Sequence, residues 1–138
     1  LQKIPSSKFT LTTLKTGTYN LCILAPSLFL TNKHFYEVDP LMFNFKSTIL
    51  ILLWGLLTIS VAWDYASVPY LFLVLAAEKL VYVIHWIQWI KKRPEWIDKV
   101  NNDINLAPFF HLYGVGDLFF GSAFVAIGVL GIIDQSKL

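Results

Sequence analysis

Three ionisable side chains, Glu78, Lys79 and Asp117, lie inside two long apolar stretches of the sequence. If these stretches cross a bilayer, each charge costs roughly 2.5–3.5 kcal/mol to insert and therefore needs a partner. Counted from the connection that the two stretches share, Lys79 and Asp117 both lie about 16 Å deep at about 1.5 Å per residue. The sequence therefore predicts a Lys79–Asp117 ion pair, which could serve as a clasp between helices or as part of a proton or ion relay.

The residues around Lys79 extend this polar region along one face of a helix. Glu78, Tyr82 and His85 occupy positions i, i+4 and i+7, which lie on the same side of a helix. A carboxylate, a phenol and an imidazole in a row could pass protons, or they could form a hydrogen-bonded seam between helices. We favour the seam, and we predict one intramembrane polar cluster made of Glu78, Lys79, Tyr82 and Asp117.

The histidines suggest a second kind of chemistry. His85 and His111 match in depth near one membrane face, and two histidines on adjacent helices could ligate a haem b or a metal ion. They could equally be interfacial side chains that bond to water or backbone, and no third ligand accompanies them. We therefore expect no metal and no cofactor. The only cysteine, Cys22, excludes an intrachain disulfide and a multi-cysteine zinc site.

Glycines recur at seven-residue spacing in the last apolar stretch. Gly114, Gly121 and Gly128 return to nearly the same helix face. Such small-residue stripes let helix backbones approach closely in membranes. We interpret the three glycines as a helix-packing surface.

The composition places these residues in a membrane protein. Hydrophobic residues make up 56% of the 138 residues and charged residues only 14%. So few charges could not cover the surface of a small soluble domain, whereas a bilayer accepts apolar side chains. The sequence predicts an all-α fold, an integral membrane four-helix bundle in one domain spanning 1–138. The predicted spans are approximately 11–30, 47–63, 68–90 and 106–133.

Basic residues near the spans predict the orientation and the localisation. The first and third connections hold six of them: Lys33, Lys46, Lys91, Lys92, Arg93 and Lys99. The other side holds four: Lys3, Lys8, Lys15 and Lys137. We therefore expect a multi-pass protein of the cell inner membrane with those two connections in the cytoplasm. Residues 1–15 lack a compact apolar run, and we expect no cleaved signal peptide.

No nucleophile motif, phosphate loop or dinucleotide fingerprint appears, so we expect no enzyme. The net charge of +2 gives no basic stripe for nucleic acid. We expect an accessory or structural subunit that packs in the bilayer against other membrane subunits or its own copies. The exposed aromatics expected to offer that surface are Trp54, Trp63, Trp86, Trp89 and Trp96. The alternatives are a small proton- or ion-coupled transporter that uses the Glu/Lys/Asp cluster, and a haem- or quinone-binding electron-transfer protein.

Several short motifs also resemble a known group of proteins. They are Tyr19-Asn20, Leu24-Ala25-Pro26, Asp39-Pro40, Lys79 and Gly116-Asp117-Leu118-Phe119-Phe120. Together they resemble small, uncharacterised bacterial membrane proteins with four helices, loosely DoxX-like. The resemblance implies a four-helix bundle in a bacterial cytoplasmic membrane and implies no particular activity.

Overall fold

The computed structural model describes residues 6–92 and 97–137, and within these ranges every regular element is helical. The all-α class is therefore confirmed. The long helices are α1 (Ser6–Leu21), α3 (Phe45–Ser60), α4 (Pro69–Lys91) and α6 (Leu106–Gln135). The short ones are α2 (Lys33–Val38), α5 (Ile97–Asn101) and a single 3₁₀ turn, η1 (Cys22–Leu24). Of the residues predicted to matter, Lys3, Arg93 and Trp96 lie outside the described residues, as does the side chain of Lys99.

Local sequence explains where several helices begin. The side chain of Asn44 accepts a hydrogen bond from the backbone N–H of Ser47 at 3.0 Å, which caps α3. Asn32 caps α2 in the same way through the N–H of Phe35. Pro69 occupies the first turn of α4, where its missing N–H has no helical partner in any case.

The first predicted span, 11–30, has the wrong boundaries. Helix α1 begins earlier, at Ser6, and the helical path ends with η1 at Leu24. Pro26 has no backbone N–H to donate, although Ala25 before it keeps helical φ and ψ values of −69° and −59°. The chain then passes through Leu28, Phe29 and Leu30 with φ values of 45°, 53° and 72°. Such left-handed conformations are costly for residues with bulky side chains, and they end the helix sharply.

The long helices form two close antiparallel pairs. In the first pair, α1 meets α3 at Gly17 and Gly55, where a Cβ on Gly17 would lie 2.8 Å from the carbonyl oxygen of Gly55. In the second pair, α4 meets α6 along the predicted glycine stripe. A side chain at Gly114 would enter the ring of Trp86, and a Cβ at Gly128 would lie 2.7 Å from Leu73. Glycine is therefore required at these close approaches because no side chain fits there.

Two apolar clusters hold the pairs together. Near the first and third connections, α2 places Phe35 against Phe43 and Phe110, with both pairs of ring centroids 5.6 Å apart. At the opposite end of the bundle, Phe72 and Phe124 pack edge to face at 5.6 Å. The predicted polar cluster lies between these two apolar clusters, because Asp117 is about two turns from both Phe110 and Phe124 along α6, and Lys79 is about two turns from Phe72 along α4.

In the part of the chain that the structure describes, two helices are long and apolar enough to cross a membrane. They are α4 and α6, and in each only 28% of the most apolar window is buried in the protein. The core helix of a soluble protein would bury most of such a window. Helix α3 is also apolar but is shorter. Its 16 residues extend about 24 Å at about 1.5 Å per residue.

Candidate functional site

The centre of the bundle is a buried lysine surrounded by oxygen atoms. Lys79 is only 2% exposed, and its Nζ donates to Oδ1 of Asn20 at 2.6 Å. The same Nζ lies 3.0 Å from Oδ1 of Asp117 and 3.4 Å from Oε2 of Glu78. Helices α1, α4 and α6 therefore meet at one cation. The contact between Lys79 and Asp117 expected from their equal depths is present.

One cation here faces two carboxylates whose oxygens are incompletely bonded. Neither Oε1 nor Oε2 of Glu78 has a hydrogen-bond partner, and both are inaccessible to solvent. Oδ1 of Asp117 is within ion-pair distance of Lys79 but is not aligned for a hydrogen bond. Buried polar groups are normally hydrogen-bonded, so these oxygens mark a position for a proton, an ordered water molecule or a ligand. If both carboxylates are ionised, the cluster has one excess negative charge.

Tyrosines enclose the ammonium group on two sides. The Tyr19 and Tyr82 ring centroids both lie 5.7 Å from Nζ of Lys79, within cation–π distance. The hydroxyl of Tyr19 donates to the backbone carbonyl of Tyr113 at 2.7 Å. Its ring packs directly over Gly116, where any side chain would collide with it. Tyr19 thus fastens α1 to α6 beside the charged centre.

A cavity opens onto this cluster. The cavity itself has a volume of about 60 Å³, within a recess of about 410 Å³ that includes open solvent. Its polar wall is formed by Glu78, Lys79, Asp117 and the phenols of Tyr82 and Tyr113. Its remaining lining is mostly apolar and includes Cys22, Ile23, Phe43, Ile51 and Phe109. The hydroxyl of Tyr113 is buried and has no hydrogen-bond partner. The orphaned polar atoms therefore line an empty volume.

The side chains of Glu78, Tyr82 and His85, predicted to form a row, are not joined to one another by the hydrogen bonds that the structure shows. Glu78 contacts Lys79, whereas Nε2 of His85 lies 2.6 Å from Oδ2 of Asp39. Asp39 is 5% exposed and comes directly after α2. His85 therefore fastens the first connection to α4.

The predicted histidine ligands each have a separate polar partner. Nε2 of His111 lies 3.0 Å from Oδ1 of Asn101, at the end of α5. Because Nε2 of each imidazole is already bonded, ligation of iron through that atom would require both contacts to break. Within residues 6–92 and 97–137, no group of three His, Cys, Asp or Glu side chains converges as a metal site.

The predicted glycine stripe and the charged centre adjoin one another. A Cβ at Gly121 would lie 3.1 Å from Cβ of Lys79, so this glycine allows α6 to approach α4 at the lysine. Gly114 and Gly128 make the corresponding contacts about two turns to either side. The stripe packs the two helices that carry Lys79 and Asp117.

Four residues of the site were not among the predicted ones. Asn20 and Tyr19 come from the first span, whose register against the third span was unknown. Tyr113 lies one turn before Asp117, and that spacing could have indicated that it shares the inner face. Asp39 appears in the sequence analysis only within the Asp39-Pro40 motif.

No protein-family model, no curated protein and no solved structure matches this chain.

Proposed function

We propose that this chain is a multi-pass protein of the cell inner membrane, with α1, α3, α4 and α6 as an integral membrane four-helix bundle. The distribution of side chains supports this. Leu53, Leu80 and Leu118 on the outer faces are each more than half exposed, whereas Lys79 and Asp117 are buried. An apolar outside around a polar inside suits lipid as the surrounding solvent. The DoxX-like resemblance implies the same setting and stays a prediction.

We further propose that the protein is a small proton- or ion-coupled carrier. The observation that carries this proposal is the single buried cation, Lys79, set between Glu78 and Asp117. An excess negative charge at membrane depth is costly, so a proton or a bound cation must neutralise the cluster. Binding and release of that cation is the elementary step of a coupled carrier.

The accessory-subunit hypothesis, which we favour from the sequence, receives less support. It rests on the absence of a catalytic motif and also on exposed tryptophans as a partner surface, and the expected exposure is wrong for part of that set. Trp89 is only 6% exposed, and Trp86 turns inward to donate to the carbonyl of Phe110 at 3.1 Å. Trp63 alone of those described is strongly exposed, at 67%. Copurification in mild detergent tests this hypothesis directly, since a stable partner would remain bound.

Infrared difference spectroscopy of the protein in lipid tests the carrier proposal. At neutral pH we expect the C=O stretch of a buried protonated carboxylic acid, or its appearance when monovalent cations are withdrawn. Glu78→Gln should remove it. Glu37→Gln is the matched control, because the Glu37 side chain is 71% exposed and is not part of the charged cluster. If wild type shows no protonated acid at any cation concentration, the cluster is a static clasp and the proposal fails.

A further inference from the structure

A second cavity, which opens on the outer surface, adjoins the cavity at the charged cluster. The two share Tyr19, Cys22, Phe109 and Tyr113 in their walls. The outer cavity lies between η1 and the first turns of α6. Its other lining residues are Ala25, Pro26, Asn105, Pro108 and Leu112. The outer cavity is therefore separated from the polar cluster by no more than these shared side chains.

The mouth of the outer cavity is suited to lipid rather than to bulk water. Ala25, Pro108 and Leu112 are exposed around it, and Leu112 is 60% exposed. Asn105 lies directly before α6, so the mouth is near the end of a membrane-crossing helix. That level is the interface, where the polar heads of amphipathic molecules reside and their chains point into the bilayer. A molecule entering here would have an apolar body.

The inner cavity specifies the head group. Oε1 of Glu78 has no hydrogen-bond partner, whereas Oε2 of Glu78 and Oδ1 of Asp117 contact the ammonium of Lys79 as ion pairs at 3.4 and 3.0 Å. That ammonium also donates to Asn20. A head group that carries positive charge and several N–H donors would satisfy these acceptors. A carboxylate or phosphate head would face two like charges. The aromatic walls contributed by Phe43, Tyr82 and Phe109 suit both an ammonium group and an apolar chain.

We propose that the cavity binds a lipophilic primary amine in its ammonium form, which enters from the bilayer between η1 and α6. This inference rests on the proposed function, because the ammonium group supplies the positive charge that the cluster needs. It names the substrate class of the carrier. When the ammonium binds a Glu78 that holds a proton, the carboxyl group releases that proton to water and the carboxylate–ammonium pair replaces it. Amine binding and proton release are thereby coupled one to one.

The test uses the full chain in lipid nanodiscs with dodecylamine as the probe, and 1-dodecanol and dodecanoate as neutral and anionic probes of equal chain length. Calorimetric titration measures binding, and a pH-sensitive dye in weak buffer measures released protons. Wild-type protein should bind dodecylamine about tenfold or more tightly than Glu78→Gln, because a charge-assisted contact is lost. Empty nanodiscs correct for partition of the probe into lipid. Glu37→Gln shows the effect of the same substitution at a glutamate outside the cavity.

The entry route is tested separately from the head-group site. Ala25→Phe should obstruct the mouth and slow dodecylamine binding, whereas Ala126→Phe, on an exposed position of α6 outside both cavities, should not. Equal binding by wild type and Glu78→Gln, or equal Glu78 dependence for 1-dodecanol or dodecanoate, would overturn the inference. In those cases a protonated-acid band that still depends on Glu78 would leave the proposed function standing. If that band is absent as well, both fail.

Discussion

Nζ of Lys79 lies 3.0 Å from Oδ1 of Asp117, at the point where Gly121 brings α6 closest to that lysine. The Lys79–Asp117 contact depends on the close approach of the two helices that Gly121 allows. A side chain at position 121 would push the helices apart and lengthen the contact. The pair is also where the first helix joins the second helix pair, because Asn20 bonds to the same Nζ. The charged centre is therefore both a joint of the fold and the inner wall of the cavity.

Lys79→Met should destabilise the protein strongly. It leaves Asp117 buried without its cation, and loss of one partner of a buried pair costs about 3–5 kcal/mol. Lys79→Met combined with Asp117→Leu should recover much of that loss, since the desolvation cost disappears together with the attraction. The measurement is the free energy of unfolding in mild detergent. A double variant no more stable than Lys79→Met would show that Glu78, rather than Asp117, is the essential partner of the lysine.

Asn20→Leu should loosen the attachment of α1 to the rest of the bundle. The substitution removes the Asn20 oxygen that accepts a hydrogen bond from the buried ammonium of Lys79 at 2.6 Å. A hydrogen bond to a charged group contributes about 1.5–3 kcal/mol to stability. The same measurement of unfolding applies, with Asn102→Leu as the control because Asn102 is exposed. Equal stability of Asn20→Leu and the wild type would mean that Lys79 is satisfied without α1.

The depth of the charged pair could be predicted from the sequence, but its third partner could not. Lys79 and Asp117 lie on helices joined by one connection, so counting from that connection gives both depths. Asn20 lies before a longer first connection, and the lengths of its turns and of α2 do not follow from hydrophobicity. The level of Asn20 relative to Lys79 therefore could not be counted from a shared connection. An asparagine in the middle of an apolar segment was the one available signal.

The ends of the first helix were mispredicted for a related reason. Hydrophobicity marks the apolar stretch up to Leu30, but the helix ends near Pro26, which has no backbone N–H, and positive φ values follow from Leu28 to Leu30. At the other end, α1 extends back to Ser6 through a stretch that is polar except for Phe9. Similarly, the Asp39–His85 contact joins residues 46 positions apart, and only the folded path of α2 brings them together. Local patterns carry no information on such contacts.

The third connection should lie in the cytoplasm. In a Cys22→Ser background, Asn102→Cys and Ser67→Cys place single thiols at exposed positions near opposite ends of the bundle. A membrane-impermeant maleimide added to spheroplasts should label Ser67→Cys and should leave Asn102→Cys unlabelled until the membrane is opened. The physical reason is the excess of basic residues beside the first and third connections. The reverse labelling pattern would show an inverted orientation, and labelling of both would argue against a membrane-spanning arrangement.

The contact between His85 and Asp39 should couple the first connection to α4. Its two atoms are 2.6 Å apart and both side chains are largely buried, so neighbouring water screens the interaction little. Unfolding free energies of His85→Gln, Asp39→Asn and the double variant should give a coupling energy of about 0.5–3 kcal/mol. The matched control is His34 with Glu37, a pair of the same chemistry at 3.7 Å between exposed side chains, for which we expect about 0–1 kcal/mol.

Equal coupling in the two pairs would contradict a structural role for Asp39. The same variants examine the electron-transfer alternative, because Nε2 of His85 cannot bond to Asp39 and ligate iron at the same time. If protein purified from cells shows a haem absorption band that both His85→Gln and His111→Gln abolish, the imidazoles ligate iron and the Asp39 contact is broken in the haem-bound state. Without such a band, a large coupling energy assigns His85 to holding Asp39. Through this contact, α2, which packs over Phe110, is held to α4 at His85, one to two turns from Lys79.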